Sequence, residues 1–174
     1  MTARLSSFES SLDELGVSVT RVDPGSLCER LDELITAPAV GVAPEEAFDD
    51  PSLSLAETAI EVDPTPAALR EATTGVTGAR VGVADYGSVT LSMTDRGSEL
   101  VSLFVDRHIA VLRAADILAT MEDGIDALDD EIGRTRGSSI IATGPSATAD
   151  MGALVNGAHG PRDVHVLVIE EEGS

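Results

Sequence analysis

The chain has 174 residues, 43% of them hydrophobic, and its 31 acidic and 11 basic residues give a formal net charge of −20. This length supports one domain with a real core and is short for two, so we predict a single domain over residues 1–174. The acid excess argues against binding to nucleic acid or anionic membranes, because the sequence offers no basic patch to displace phosphate counterions.

The first part of the chain alternates helix and strand patterns. Apolar residues at helical spacing predict an N-terminal helix that stops at Gly16. "VSVTRV" then alternates as a strand, and Asp23-Pro24 opens a second helix. "AVGVA" and "TAIEV" are further strand candidates, and a helix is predicted from Pro66 to about Thr74. Such alternation is typical of a parallel sheet.

The middle of the chain is predicted to be rich in short strands. "GARVGVADYGSVTLSM" alternates on both sides of a turn at residues 85–88, which indicates a hairpin. "SELVSLFV" and "HIAVLRA" are predicted as two more strands. "MEDGIDALDDEIG" follows as an acidic amphipathic helix, with Ile125, Leu128 and Ile132 expected to face inward.

The last part of the chain is interpreted as a strand, helix and strand unit. "SSIIAT" and "VHVLVIE" are apolar on both faces, as expected of strands that are covered on both sides. Between them we predict a helix that Ser146 caps and that turns Met151, Leu154 and Val155 inward. The whole pattern predicts a three-layer, Rossmann-like α/β fold with a mostly parallel sheet and a strand-rich antiparallel middle part.

Charge, cysteine and histidine content bear on habitat and metal binding. All 11 basic residues are arginine and the acids are spread along the chain, so we interpret the charge as halophilic adaptation; an acidic interaction protein is the alternative. No apolar run or leader pattern suggests membrane insertion or export, and a soluble, cytoplasmic protein is expected. Cys28 is alone, His108 is expected to be structural, and no metal-ligand spacing is present, so no metal site and no cofactor are expected in this chain.

The stretch "ATGPSATADMGALVNGAHGP", residues 142–161, is the main candidate for a site. In an open parallel sheet, ligands collect outside the carboxyl ends of the strands, where helix N-termini offer free N–H groups. Gly144-Pro145-Ser146 is predicted to lie at such an end, in a setting that suits a carboxylate or a phosphate. A plain helix cap by Ser146, worth about 1 kcal/mol, explains the motif equally well.

Two other positions leave the same choice open. His159 lies in a loop before the last strand, where it could act as acid, base or carboxylate partner, or simply bond a nearby carbonyl. The hairpin turn needs Gly87 whether or not Asp85 and Ser88 face a ligand. The chain shows no Ser-His-Asp order, P-loop or dinucleotide fingerprint, so the usual support for a hydrolase, a nucleotidase or a classical dehydrogenase is missing.

Several segments in order, "GVADYGSVTL", "HIAVLRAADIL", "GPSATAD", "GAHGP" and "VHVLVI", resemble the lactate-utilisation (LUD) domain family in its short form, the lactate utilization protein C type. The resemblance covers roughly residues 58–170, whereas residues 1–57 are less diagnostic. It implies a fold related to the sugar-phosphate isomerase and CoA-transferase group. With the charge pattern, it also suggests a halophilic archaeal source.

The resemblance implies an accessory subunit in the oxidation of L-lactate to pyruvate. Such a subunit would bind a small carboxylate or phosphate ligand, iron–sulfur partner subunits, or both, with any iron–sulfur or flavin group held by the partners. The alternatives are a stand-alone enzyme of isomerase or transferase type, acting on a sugar phosphate or acyl-CoA, and a ligand-sensing or structural protein. A mean hydropathy of +0.12 is compatible with a homo-oligomer.

The resemblance indicates which positions of this chain match the family's motifs, but it assigns no catalytic role to them. His159 and Asp85 are the catalytic candidates. Asp85 is shorter than the family's usual Glu, and Ala147 stands where a basic residue is common, which weakens the expectation of tight anion binding. The positions expected to bind a ligand are Gly87 and Ser88 in the first turn, Gly144, Ser146, Thr148 and Asp150 in the Gly-Pro-Ser motif, and His159 and Gly160 in the His-Gly-Pro corner.

Overall fold

The computed structural model describes residues 2–150, 153–157 and 159–170. Its helices are α1 (Thr2–Glu14), α2 (Leu27–Leu34), α3 (Pro44–Phe48), α4 (Pro66–Glu71), α5 (Ser98–Leu103) and α6 (Met121–Thr135). Its strands are β1 (Ser18–Val22), β2 (Ala39–Gly41), β3 (Glu61–Val62), β4 (Thr74–Gly78), β5 (Val81–Val83), β6 (Ser88–Ser92), β7 (Arg107–Arg113), β8 (Ile117–Leu118), β9 (Ser139–Thr143), β10 (Ala147–Asp150), β11 (Ala153–Asn156) and β12 (Asp163–Ile169).

A six-stranded parallel sheet forms the centre of the fold, in the order β1-β12-β7-β4-β2-β3. The central strands β7 and β12 are buried on both faces: Val111, Leu112, Leu167 and Val168 are all fully covered. Their near-continuous apolar sequences follow from that double coverage. The α/β class with a mostly parallel sheet is therefore confirmed.

The two faces of the parallel sheet are covered by different layers. On one face, Leu27 and Leu31 of α2 pack together with Phe48, the last residue of α3. They cover Ile109 and Leu167 of the sheet. On the other face, α1 and a second sheet pack against the alternate residues of β7 and β12. This arrangement is the predicted set of three layers.

The second sheet has four strands in the order β8-β5-β6-β9 and contains the predicted antiparallel part. Its hairpin turns at Gly87, whose φ of +61° favours glycine. A Cβ at Gly87 would also lie 3.0 Å from the carbonyl carbon of Ser11 in α1. Glycine therefore serves two purposes here: it makes the turn and it allows α1 to pack against the second sheet.

Helix α5 replaces one of the predicted strands. In "SELVSLFV", Ser98, Val101 and Ser102 are buried, whereas Leu100 and Leu103 are exposed. The buried positions recur at helical spacing, but two of them are serine, so the apolar pattern alone was misleading. The strand prediction was wrong here.

The chain after β9 differs most from the prediction. β9 belongs to the second sheet, where it pairs antiparallel with β6, and it is followed by the hairpin β10–β11 rather than by a helix. Leu154 is 73% exposed instead of facing inward, and Val155 is exposed as well. The predicted inward position of Met151 lies outside the described residues. The predicted strand, helix and strand unit was therefore wrong.

Helix α6 was predicted correctly, and of the three residues expected to face inward only Leu128 is buried. The Thr120 side chain accepts a hydrogen bond from the Asp123 N–H and caps the helix. Gly124, Leu128 and Glu131 are the buried residues, whereas Ile125 and Ile132 are 48% and 41% exposed. No helix among the described residues is long and apolar enough to cross a membrane.

Candidate functional site

A cavity of about 200 Å³ lies between α1, the second sheet and one face of the parallel sheet; we call it the sheet cavity. It is smaller than the roughly 300–1,000 Å³ of typical drug-sized pockets, so it suits a ligand of few heavy atoms. Ser102, His108, Ser146 and His159 supply the polar side chains of its wall. The rest of the wall consists of Leu12, Val17, Gly87, Val89, Leu91, Leu103, Ile140, Ile141, Ala142, Gly144, Gly160, Pro161, Val164 and Val166.

Backbone hydrogen bonds hold the two predicted motifs together at this cavity. The Ser146 N–H donates to the Pro161 carbonyl at 2.9 Å, and the Gly157 N–H donates to the Ser146 carbonyl at 2.8 Å. A Cβ at Gly160 would lie 3.0 Å from the Ser146 Cβ, so glycine leaves room for the serine. Gly144 and His159 complete this part of the wall.

Four predicted site residues are not among the residues that line the sheet cavity. The Asp85 carboxylate is exposed and accepts a hydrogen bond from the Met121 N–H at the start of α6, at 3.2 Å. Ser88 is buried, with its Oγ 2.7 Å from the Thr143 Oγ1. Thr148 is exposed on β10, and the side chain of Asp150 lies outside the described part of the structure. Of the two catalytic candidates, His159 lines the sheet cavity and Asp85 does not.

His108 lies in the wall of the sheet cavity, although its sequence context suggested only a structural role. It is 3% exposed, and its Nε2 lies 2.9 Å from the Thr77 Oγ1 of the neighbouring strand. Burial lowers its pKa to about 4, so the imidazole is neutral at pH 7. Among the described residues, its Nδ1 has no hydrogen-bond partner.

This arrangement gives His108 a donor or an acceptor for a ligand. A neutral imidazole carries one N–H and one bare nitrogen. If the Thr77 hydroxyl donates to Nε2, Nδ1 carries the proton and can donate to a ligand oxygen. The signal in the sequence was His108 at the start of the apolar run "HIAVLR". A polar side chain buried in such a strand requires a hydrogen-bond partner, either in the protein or in a ligand.

His165 shows what a purely structural buried histidine looks like in the same sheet. Its Nε2 lies 2.9 Å from the Thr20 Oγ1, and its Nδ1 lies 3.5 Å from an Arg107 nitrogen. Burial lowers its pKa, the nearby Arg107 lowers it further, and Asp163 raises it. Both ring nitrogens face partners within the protein, which leaves neither for a ligand.

The sheet cavity lies at the amino ends of the parallel strands. His108 and Val164 are the second residues of β7 and β12, and both line it. The Gly-Pro-Ser motif therefore does not lie at the carboxyl end of a parallel strand, nor does it precede a helix, and both expectations were wrong. No arginine lines the cavity among the described residues, so a bound anion would depend on neutral donors and on His159.

The described residues contain no group of three or more His, Cys, Asp or Glu side chains placed to hold a metal ion. The Cys28 thiol donates to the Ser54 carbonyl at 3.4 Å. Burial is the main cause that raises its pKa, with Glu57 and Asp32 adding to the shift.

Comparison with known proteins identifies the class. The model of the LUD domain matches residues 7–169, so the chain belongs to the LUD domain family. The chain is 30% identical over 179 residues to "Lactate utilization protein C" of Deinococcus radiodurans, which covers 95% of this chain and 79% of that protein. The family resemblance seen in the sequence is thereby confirmed.

Two further relatives extend the comparison. "Lactate utilization protein B" of Bacillus pumilus is 27% identical over 188 residues, which is 94% of this chain but only 37% of that protein. The crystal structure of a DUF162 family protein from Deinococcus radiodurans superposes with a TM-score of 0.72 at 24% identity, with 97% of each chain covered. That likeness supports the fold.

Proposed function

We propose that this chain is an accessory subunit, similar to lactate utilization protein C, in the oxidation of L-lactate to pyruvate, and that it binds a small carboxylate in the sheet cavity. The observation that carries the proposal is the convergence of His108, Ser146 and His159 on one small, apolar cavity. The likeness to a protein named for lactate utilization covers 95% of the chain and supports a role in that process.

The shape and chemistry of the sheet cavity suit a ligand such as lactate or pyruvate. Its wall is mostly apolar, with few polar groups, as in small-molecule sites in general. The ligand's methyl group would pack against Val89 and Val164. Its carboxylate would accept hydrogen bonds from the Ser146 hydroxyl and the His108 N–H, which replace part of the water that it loses.

The redox step is assigned to partner subunits. Oxidation of L-lactate to pyruvate removes two electrons and two protons, and the electrons require an acceptor. We propose that this acceptor is an iron–sulfur or flavin group held by partners, as the family resemblance implies. In this proposal the chain binds and orients the carboxylate and supports those partners, and His159 at the mouth of the cavity could exchange a proton with the ligand.

A thermal-shift series with L-lactate and pyruvate tests the binding. A ligand at about 100 times its dissociation constant adds about 2.7 kcal/mol to the free energy of unfolding. We expect a shift for the natural chain and its loss in Ser146→Ala and His159→Ala. Thr148→Ala, on the exposed side of the adjoining hairpin, is the matched control. Absence of any shift with a folded protein, or equal loss in the control, would contradict the proposal.

A turnover assay separates the subunit from the alternative enzyme. The isolated chain should not turn over L-lactate, sugar phosphates or acyl-CoA esters, and L-lactate-dependent dye reduction should require the added iron–sulfur partners. Turnover of a sugar phosphate or acyl-CoA by the chain alone, lost in His159→Ala, would favour the enzyme of isomerase or transferase type. The small volume of the cavity and the absence of arginine from its described wall argue against those larger anions.

A further inference from the structure

A second concave region lies at the opposite end of the parallel sheet. It consists of two adjoining hollows of about 470 and 350 Å³ that share Ala47, Arg80 and Glu131. Val42 and Gly78 line the larger hollow where β2 and β4 end, and Arg113 lines the smaller one where β7 ends. We call this region the carboxyl cleft.

The chain topology makes the carboxyl cleft the switch point of the sheet. β2 and β4 are neighbours, but β2 connects outward to β3 and β4 connects inward to β7. The first connection packs Phe48 and Leu53 on one face of the sheet. The second connection packs Val89 and Leu91 on the other face. A crevice opens where neighbouring connections leave on opposite faces, and ligands of open α/β sheets bind there.

Arginine is concentrated at this cleft. Arg80, Arg113 and Arg134 all line the smaller hollow, although the chain has only 11 basic residues and a net charge of −20. The acids in the same wall are Asp116 and Glu131. The larger hollow adds Asp95, and Arg113 is paired with Asp50 at 2.9 Å. The cleft therefore combines three cations with three acids, in a protein whose charge is otherwise strongly negative.

Arg80 is held in place by the protein itself. It donates to the Ala47 carbonyl, and its Nε lies 3.9 Å from the Glu131 Oε1. Glu131 is 9% exposed and also accepts a hydrogen bond from the Ser92 hydroxyl. An arginine fixed in this way presents its remaining N–H groups with little loss of side-chain entropy.

Arg134 differs, because it is exposed in the last turn of α6 and has no ion-pair partner among the described residues. Arg80 and Arg134 thus offer one positioned and one adaptable guanidinium to the same hollow. Guanidinium groups match phosphate and carboxylate oxygens in bidentate geometry. Two such groups in one hollow favour an oxyanion with more than one negative charge.

We propose that the carboxyl cleft binds the phosphate group of a small phosphorylated ligand, with the phosphate on Arg80 and Arg134. The organic part of the ligand would lie in the larger hollow, where Thr94 and Ser138 add hydroxyl groups. The site is separate from the sheet cavity, with which it shares no lining residue among those described. It does not depend on the function proposed above.

Calorimetric titration of inorganic phosphate at constant ionic strength tests the proposal. Loss of one charge-assisted contact in Arg134→Gln should weaken phosphate binding about tenfold. Arg80→Gln should weaken it at least as much. Arg30→Gln is the matched control, since Arg30 is exposed on α2 and pairs with Glu33; we expect it to leave the affinity within about twofold.

Because Arg134 is exposed, its substitution should leave the fold intact, and a melting curve checks this. Ser146→Ala should leave phosphate affinity unchanged. Absence of saturable phosphate binding in the natural chain would overturn the proposal. Equal weakening by Arg30→Gln and Arg134→Gln would overturn it as well, because the effect would then come from net charge rather than from a site.

Discussion

The sheet cavity and the carboxyl cleft differ in their position on the sheet, in their size and in the charge of their walls. The sheet cavity lies between layers at the amino ends of the strands, and its wall is mostly apolar. The carboxyl cleft opens at the other end of the same sheet and contains Arg80, Arg113 and Arg134. In this chain the sequence motifs lie at the amino ends of the parallel strands, whereas open α/β sheets usually bind their ligands at the carboxyl ends. The motifs form a pocket inside the core, whereas the sheet topology forms a cleft at its edge.

The largest difference should appear when a wall residue is truncated in each region. Leu12 of α1 is buried and lines the sheet cavity. Leu12→Ala should lower the free energy of unfolding by about 3 kcal/mol, because it removes a buried side chain from the core. Met93 of the carboxyl cleft is 45% exposed, and Met93→Ala should cost less than about 1 kcal/mol. Urea denaturation measures both; equal costs would show that the cavity is not part of the core.

Lowering the pH should reduce the free energy of unfolding through the buried His108 in the wall of the sheet cavity. Its folded-state pKa of about 4 lies below the ordinary 6.5, so the unfolded chain takes up the proton first. Stability linked to this group is therefore complete above pH 6.5 and is lost as the pH falls toward 4, by about 3 kcal/mol in total. The unfolding free energy of the natural chain should fall over this range relative to that of His108→Gln.

A substitution that leaves the buried imidazole in place provides the control for that pH experiment. Carboxylates titrate in the same range in every variant, so the difference between His108→Gln and the natural chain isolates one histidine. Thr148→Ala, on the exposed side of β10, should keep the pH dependence of the natural chain. If His108→Gln kept it as well, the neutral buried state of His108 would be wrong.

A smaller effect is expected where the two motifs meet. In Gly160→Ala the new Cβ would lie 3.0 Å from the Ser146 Cβ, so the serine must shift. We expect a cost of about 1 kcal/mol and weaker pyruvate binding. Gly133 in α6 has open space around its Cβ position, and Gly133→Ala should stabilise the protein by up to about 1 kcal/mol. Unchanged pyruvate affinity in Gly160→Ala would remove Ser146 from the binding site.

The smallest effect is expected at Asp85. Its carboxylate accepts a hydrogen bond from the Met121 N–H at the start of α6. Asp85→Ala should therefore lower the free energy of unfolding by about 0.5–1 kcal/mol, as for the loss of a helix cap. Pyruvate affinity should not change, because the residue does not line the sheet cavity. Thermal unfolding with and without pyruvate measures both quantities. Loss of pyruvate binding at unchanged stability would restore Asp85 as a site residue.

Local periodicity predicted the elements whose buried face is apolar. α1, β1 and β12 follow their patterns, and the Gly87 turn follows from the hairpin signal. The predictions failed where buried residues are polar or where apolar residues are exposed. α5 buries Ser98 and Ser102, and the hairpin β10–β11 exposes Leu154, so apolar spacing pointed to the wrong structure in both.

The candidate site was predictable in part. The sequence motifs brought Gly144, Ser146, His159 and Gly160 into one region, because the two motifs flank a short hairpin. The sequence alone could not show that β9 joins the second sheet, which moves the site to the amino end of the parallel strands. The place of His108 in the cavity and the formation of the carboxyl cleft depend on contacts between distant segments, such as the contact of His108 with Thr77. Local sequence patterns do not show such contacts.

Pyruvate affinity in two variants tests the separation of the two regions most directly. Calorimetric titration would compare the natural chain with Ser146→Ala in the sheet cavity and with Arg134→Gln in the carboxyl cleft. We expect Ser146→Ala to weaken pyruvate binding about tenfold and Arg134→Gln to leave it unchanged. Weakening by Arg134→Gln alone would place the carboxylate in the cleft and contradict the assignment of the cavity.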